Sequence, residues 1–248
     1  MATPLDGRRL FVHPAHGRIG ISPASGGPLE APAAAEGWQR SRPARVGFLV
    51  GSAEEGWDQS AAILFDHLRE KGVRTVYAIN SSDPFFTDCL VLLGEPELRH
   101  ARRLGLEAYC RQGGALVAMG SADRAVPDWP TFAEAVLGGR DEGSGRNPMP
   151  LEVEPAEQAW EHPVLAGVEP FVARGDPRGP VRVARAAEIL LWGFGGGLVK
   201  PLAWAWRPRG RPVFYSLLGS PDDLRQPDFL RLMANAVRWA ADAGPSAV

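Results

Sequence analysis

The chain has 248 residues, of which 45% are hydrophobic and 23% charged, and its 27 basic and 29 acidic residues leave a formal charge of -2. This composition is typical of a globular protein with a sizeable core, and the dispersed charges lack the basic face that a nucleic-acid partner would need. No apolar run approaches about 18 residues and the N-terminus lacks a signal-peptide core, so we expect a cytoplasmic protein without a membrane partner.

Residues 1–44 are rich in proline, glycine and alanine, and we predict an arm that precedes a single folded domain over residues 45–248. Two short stretches in this arm, residues 8–13 and 18–21, have the composition of strands. They would suit pairing with a sheet edge or with a partner subunit. We therefore expect a homodimer, with the arm as one route to its assembly.

Short apolar runs that alternate with amphipathic stretches begin at Arg45. This pattern is typical of parallel strands that are buried on both faces and joined by covering helices. The predicted strands cover residues 46–50, 75–79, 89–93 and 115–119, and the predicted helices cover residues 58–71 and 97–112. The series predicts an α/β fold with a doubly wound, mainly parallel sheet, helices on both faces, and the strand C-terminal loops gathered along one edge.

Residues 123–187 are richer in proline, glycine and charge, and there we predict mostly surface loops. The exceptions are a short helix near residues 131–137 and a small strand at residues 151–153. Regular structure is expected only after this segment.

Three late strands are predicted at residues 188–192, 202–206 and 212–217, and their short connections favour antiparallel pairing. The glycine-rich stretch 193–197 is predicted to be a flexible turn, because a dinucleotide-binding loop would have to open a helix and strand-like residues follow instead. An amphipathic helix over residues 228–241 closes the domain.

Several motifs follow one another in a characteristic order. They are HPVLAG at residues 162–167, PLAW at 201–204, GRPVFYSLLG at 210–219, PDF at 227–229 leading to VRWA at 237–240, and LEAYCRQGGALV at 106–117. This succession resembles the ThuA-like (trehalose utilisation) family, a branch of the class I glutamine amidotransferase-like superfamily. The resemblance implies a flavodoxin-like sheet, a pocket at the C-terminal ends of the strands, and a carbohydrate-related role in binding or processing a small saccharide or sugar derivative.

The chain departs from the family at its usual active-site positions. Class I amidotransferases carry a cysteine in the elbow after the central strand and ThuA-like proteins commonly a histidine, whereas this chain has Gly120. Residues 52–57 and Ser220 stand where the family tends to have two further histidines. Serine neither titrates near neutral pH nor binds transition metals well. We therefore expect no glutaminase activity, and an alternative function is a catalytically silent domain that binds a ligand or a partner protein.

Only two cysteines occur, Cys89 and Cys110, and they form neither a CxxC pair nor a cluster with histidine. This pattern argues against a structural zinc site and favours two packed thiols. We predict no metal and no cofactor.

Three carboxylates are the candidate catalytic residues: Asp123 after the fourth strand, and Asp222 and Asp223 just beyond Ser220. Paired carboxylates can act as acid and base when burial separates their pKa values. The sequence Pro221-Asp222-Asp223 is also an ordinary turn and helix entry, and we favour that structural interpretation for this pair.

The candidate substrate-binding residues lie mainly in the predicted C-terminal loops of the strands. They are Trp57, Asp58, Glu95, Ser121, Arg124, His162 and Ser220. Ser121 is either a nucleophile or a helix-capping serine, and capping is favoured because no histidine is placed to activate it. Arg124 either binds sugar hydroxyls or pairs with Asp123. His162 precedes a proline at an element boundary, which favours a structural turn over catalysis.

Eight tryptophans are many for this length. We expect Trp57 in the pocket, where an aromatic face would stack on a sugar ring, and Trp204 and Trp206 in the core or an interface. The main structural prediction is that the turns carrying Trp57, Glu95, Ser121 and Ser220 meet at a common rim.

Overall fold

A computed structural model describes residues 44–51, 55–77, 87–96, 98, 100–143, 150–173 and 180–242. Apart from the buried Ala44, the predicted arm lies outside the described residues. The strands within the described ranges are β1 (Arg45–Val50), β2 (Arg74–Tyr77), β3 (Cys89–Leu93), β4 (Ala115–Met119), β5 (Gly139–Asp141), β6 (Leu151–Pro155), β7 (Phe171–Ala173), β8 (Val181–Val183), β9 (Glu188–Gly195), β10 (Leu198–Trp206) and β11 (Val213–Ser216). The α-helices are α1 (Trp57–Glu70), α2 (His100–Arg111), α3 (Pro221–Leu224) and α4 (Pro227–Asp242).

The strands form a nine-stranded sheet in the order β2-β1-β3-β4-β11-β10-β9-β6-β7. The first five run parallel, and the remaining pairings, from β11–β10 outwards, are antiparallel. The predicted mainly parallel α/β sheet with late antiparallel strands is confirmed. The C-terminal ends of β1, β3, β4 and β11 therefore lie along one edge of the sheet.

Helices cover both faces of the parallel strands, as predicted. One core cluster includes Phe48, Leu64 and Met233 and lies between the sheet and helices α1 and α4. A second cluster includes Leu106 and Leu116 and lies beneath α2 on the opposite face. Every residue of β3 and β4 is buried, because these central strands have covering side chains above and below.

The short helix and the small strand predicted within residues 123–187 are present, at Phe132–Leu137 and in β6, but the prediction that the rest is mostly surface loop misses three strands. Besides β6, the segment holds β7, which pairs with β6 at the edge of the main sheet, and β5 and β8, which pair in a small antiparallel sheet of their own. In β6 and β7, buried and exposed residues alternate at the start because only one face packs against the core. Three-residue strands are too short for that alternation to stand out among proline, glycine and charge.

The predicted flexible turn at residues 193–197 is shorter in the structure. Strand β9 runs through Gly195 and β10 begins at Leu198, so the hairpin is closed by Gly196 and Gly197 alone, at φ angles of 57° and 77°. Two successive positive φ angles are typical of the tight turn that matches the twist of paired strands. Gly193 belongs to β9, where it pairs with Lys200 of β10, and a Cβ at this position would lie 2.8 Å from Leu202 Cγ.

Three predicted core side chains are buried as expected. The Trp204 ring packs edge-on against Tyr215, with centroids 4.9 Å apart, and its indole nitrogen donates to the Leu137 carbonyl at 2.8 Å. Cys89 and Cys110 are buried free thiols. No helix in the described ranges is both long and apolar enough to cross a bilayer.

Candidate functional site

The loops after β1, β4 and β11 enclose a cavity of about 140 Å³ at the C-terminal edge of the sheet. The structure brings together three of the residues predicted to share this rim, Trp57, Ser121 and Ser220, and it adds Asp123 and Arg124. The remaining lining residues are Glu55, Gly120, Asp141, Leu217, Gly219 and Asp223.

The Trp57 indole lies directly over two glycines at the strand ends. A Cβ on Gly120 would come within 2.9 Å of three indole carbons, and a Cβ on Gly94 within 2.5 Å of three indole atoms. Both glycines also have a φ angle of +62°, which disfavours other residues. Gly120 is the elbow position at which related proteins are expected to carry a reactive side chain. In this chain that position has no side chain and is covered by the indole.

Helix α1 places Trp57 there because Trp57 is its first residue. Gly56 caps the helix in a left-handed conformation, with a φ angle of 79°, and its carbonyl accepts the Ser60 N–H at 3.1 Å. The indole nitrogen donates to Glu55 Oε2 at 2.7 Å. Asp58 follows in the first turn, where a carboxylate interacts favourably with the helix dipole, but it is exposed and outside the cavity lining.

A 3-10 turn after β4, Gly120–Arg124, carries the partly buried Asp123. Its Oδ2 atom accepts the Asp141 N–H at 3.2 Å. The Tyr215 hydroxyl donates to the Gly120 carbonyl at 2.7 Å, and it also interacts with the Asp123 carboxyl group. Burial raises the pKa of Asp123 above its ordinary value, against the opposing effects of these hydrogen bonds and the Arg124 charge. Asp123 is therefore a carboxyl group suited to proton exchange or to accepting a ligand hydroxyl.

Arg124 joins the loops after β3 and β4. One guanidinium nitrogen lies 4.0 Å from Glu95 Oε1, and another donates to the Gly143 carbonyl at 3.3 Å. Glu95 reaches the rim through this ion pair, although it does not line the cavity itself. Both side chains are substantially exposed, so the pair adds little stability and leaves Arg124 available to a ligand.

The three candidate residues in the turn beyond β11, Ser220, Asp222 and Asp223, have different environments. Ser220 and Asp223 form a capping box: Ser220 Oγ accepts the Asp223 N–H at 3.2 Å, and the buried Asp223 Oδ2 accepts the Ser220 hydroxyl at 2.8 Å and the Ser220 and Gly219 N–H groups. These bonds hold the Asp223 carboxylate in the turn. Asp222 is exposed, pairs with Arg225 at 2.7 Å, and is not among the lining residues.

His162 is not brought to the cavity either. Its Nδ1 atom accepts the Val164 N–H at 3.2 Å and caps a short 3-10 turn, and its ring lies 5.1 Å from that of Trp239 in α4. Burial, with a smaller contribution from the Arg207 charge, lowers the pKa of His162 to about 4. The residue has the environment of a structural histidine.

Two residues of the site were missed by sequence reasoning, Asp141 and Tyr215. Tyr215 had a signal, since it is a hydroxyl-bearing aromatic in a strand that leads into the pocket loops. Asp141 had none, because it reaches the cavity only through the pairing of β5 with β8. Among the residues that the structure describes, no three histidine, cysteine or carboxylate side chains form a group able to hold a metal ion.

A parallel sheet continued by antiparallel strands, with its cavity at the C-terminal edge, defines the flavodoxin-like, class I glutamine amidotransferase-like fold. The family model described as ThuA, trehalose utilisation, matches residues 52–240. The chain belongs to this family, whose description supports a carbohydrate-related role in general terms.

Solved structures agree with this fold. A ThuA-like protein from Parabacteroides merdae has a TM-score of 0.66 at 17% identity, with 84% of this chain and 93% of that chain covered. A ThuA-like protein from Bacteroides uniformis has a TM-score of 0.63 at 21% identity, with 83% and 94% covered. A glutamine amidotransferase from Thermotoga maritima has a TM-score of 0.51 at 11% identity, with 81% and 99% covered. No curated protein matches the chain significantly.

Proposed function

We propose that this chain binds a small saccharide or sugar derivative in the cavity at the C-terminal edge of the sheet, without glutaminase activity. The observation that carries the proposal is the Trp57 indole seated over Gly120, beside Asp123 and Ser121. It combines an aromatic surface with hydrogen-bonding groups at the place where the family's chemistry is expected. The family's description, trehalose utilisation, supports a sugar as the class of ligand.

The chemistry of the lining suits a sugar. Aromatic faces pack against the apolar faces of sugar rings, and the ring hydroxyls need both donors and acceptors. Asp123 supplies an acceptor, Arg124 a donor, and Ser121 a group that can do either. Each of them lines the same cavity as Trp57.

The electrostatics of the cavity favour a neutral sugar. The lining includes four carboxylates, Glu55, Asp123, Asp141 and Asp223, and among the described lining residues Arg124 is the one guanidinium. A sugar acid or sugar phosphate would meet repulsion from this excess of negative charge. A neutral ligand would meet hydrogen-bond acceptors.

Glutaminase chemistry needs a nucleophile at the elbow. Gly120 offers none, and the indole occupies the space into which a side chain at that position would extend. Nucleophilic catalysis of the amidotransferase kind therefore lacks its central group.

A second candidate function is acid–base processing of the bound sugar by Asp123. It is favoured by the raised pKa of this carboxyl group, because a general acid works best when its pKa approaches the working pH. Both candidates place the sugar in the same cavity, and they differ in whether the bound sugar is altered.

The test compares Asp123→Asn with Asp222→Asn. The first variant changes the lining while keeping an oxygen that can accept the Asp141 N–H, and the second changes an exposed carboxylate outside the cavity. Thermal shift and calorimetry with glucose, trehalose and glucose 6-phosphate should show a neutral sugar bound by the wild type and by Asp222→Asn, with binding lost or strongly weakened in Asp123→Asn. Equal binding by all three proteins, or by none, would contradict the proposal.

Following the bound sugar by NMR over time separates the two candidates. An unchanged sugar spectrum supports binding alone, whereas product that forms with the wild type and not with Asp123→Asn supports acid–base processing. The homodimer expected from the arm stays a prediction, and a change from the apparent mass of a dimer to that of a monomer after deletion of residues 1–43 would support it.

A further inference from the structure

A groove beside the cavity continues the candidate site. Its volume is about 410 Å³, and its lining shares three residues with the cavity: Asp123, Arg124 and Asp141. Because these side chains line both spaces, the cavity and the groove are neighbours, and we call the two together the cleft.

One side of the groove is aromatic and apolar. It is formed by Trp129 with its neighbours Pro127 and Pro130. The Trp129 ring lies 5.2 Å from that of Phe132 and packs against the core, while its backbone N–H donates to the Val126 carbonyl at 3.0 Å. Trp129 is thus a partly exposed aromatic surface held in place by the residues behind it.

The same groove is also lined by a polar row at the end of β5. Arg140 pairs with Glu142 at 3.2 Å and with Glu134 at 3.7 Å, and Asp141 accepts the Gly143 N–H at 2.9 Å. These contacts fix the directions of donors and acceptors along the groove. They also occupy the guanidinium with carboxylates, so a phosphate would have to displace existing ion pairs.

We propose that the cleft binds a neutral saccharide of at least two rings, with one ring in the cavity against Trp57 and the next in the groove against Trp129. This inference rests on the proposed function and specifies its ligand. An apolar platform and a polar row in one lining are complementary to a sugar ring, which has an apolar face and a periphery of hydroxyls. The shared position of Asp123 places its carboxyl group beside the linkage between the two rings.

The test is calorimetric titration of the wild type, Trp129→Ala and Trp57→Ala with glucose and with the disaccharides trehalose, maltose and cellobiose. At least one disaccharide should bind about fivefold more tightly than glucose, since one additional aromatic contact contributes roughly 1 kcal/mol. Trp129→Ala should remove that advantage and leave glucose binding unchanged. Trp57→Ala should weaken both classes of ligand.

Arg140→Gln provides a second groove variant at a partly exposed side chain, in case Trp129→Ala fails to fold. It too should weaken disaccharide binding alone. If glucose binds but every disaccharide binds no more tightly, or if both groove variants bind disaccharides like the wild type, the two-ring inference is overturned while the proposed function stands. If glucose 6-phosphate binds more tightly than the neutral sugars, the choice of a neutral ligand is overturned. Failure of all these sugars to bind would overturn the proposed function itself.

Discussion

The contact between Gly120 and the Trp57 indole predicts strong energetic coupling between these two positions. In Gly120→Ala the new methyl group would lie within 2.9 Å of three indole carbons, on a backbone with a φ angle of +62°. The left-handed backbone costs an alanine about 1–2 kcal/mol. Displacing a packed side chain to relieve the clash adds about 1–3 kcal/mol. We therefore expect a loss of about 2–5 kcal/mol in the free energy of unfolding.

Trp57→Ala removes the clash but not the backbone cost. In that background Gly120→Ala should cost only about 1–2 kcal/mol, so the coupling energy is about 1–3 kcal/mol. The measurement is urea denaturation of the wild type, both single variants and the double variant, followed by circular dichroism.

Gly113→Ala is the matched control. Gly113 has a φ angle of +84°, and a Cβ there would meet no atom within 4 Å. It should cost about 1–2 kcal/mol in both backgrounds, because only the backbone conformation opposes it. If Gly120→Ala proves equally costly with and without Trp57, the indole does not occupy the space beside the elbow, and the proposed contact between these two positions is refuted.

Three further predictions concern residues around and away from the cavity. Asp223→Ala should cost about 3 kcal/mol of unfolding free energy, because it leaves three donors without their buried acceptor. Asp222→Ala, which removes an exposed ion pair, should cost under about 1 kcal/mol. Similar losses for the two variants in urea denaturation would contradict the capping role of Asp223. Burial lowers the pKa of His162 from 6.5 to about 4, so its neutral form stabilises the native state at pH 7, and this contribution is lost as the pH falls from 6.5 to about 4. The variant His162→Asn keeps a capping acceptor without the titration, so its stability should fall less steeply over that window, and parallel profiles would refute the assignment. Burial raises the pKa of Cys89 and raises that of Cys110 to about 11, so neither thiol should react with Ellman's reagent at mildly alkaline pH until denaturant is added; prompt labelling of the native protein would contradict this burial.

The parallel half of the sheet was predictable because its strands are buried on both faces. Cys89–Leu93 and Ala115–Met119 are continuous apolar runs that match the observed strands residue for residue. The three-residue strands β5, β7 and β8 were not predictable in this way. Their extended conformation depends on partners far along the chain, as when Asp141 pairs with Val181, and no local pattern records such a partner.

The same distinction applies to the candidate site. Trp57, Ser121 and Ser220 were placed correctly because they follow strands whose ends must meet in this topology. Asp222 and Asp223 are adjacent in sequence, yet one is exposed and the other buried, since successive residues in a helical turn point about 100° apart. Ser220 three residues before Asp223 was the available signal, because that spacing is typical of a capping box.

The indole over the glycine elbow restricts how this sequence can evolve. A single mutation such as Gly120→Cys would introduce a thiol into space already filled by aromatic carbon, so its first effect would be lost stability and not a new reaction. Selection would remove such a mutant before chemistry could be refined. In this chain a nucleophile at the elbow therefore requires position 57 to change first, so the order in which the two positions can be substituted is constrained.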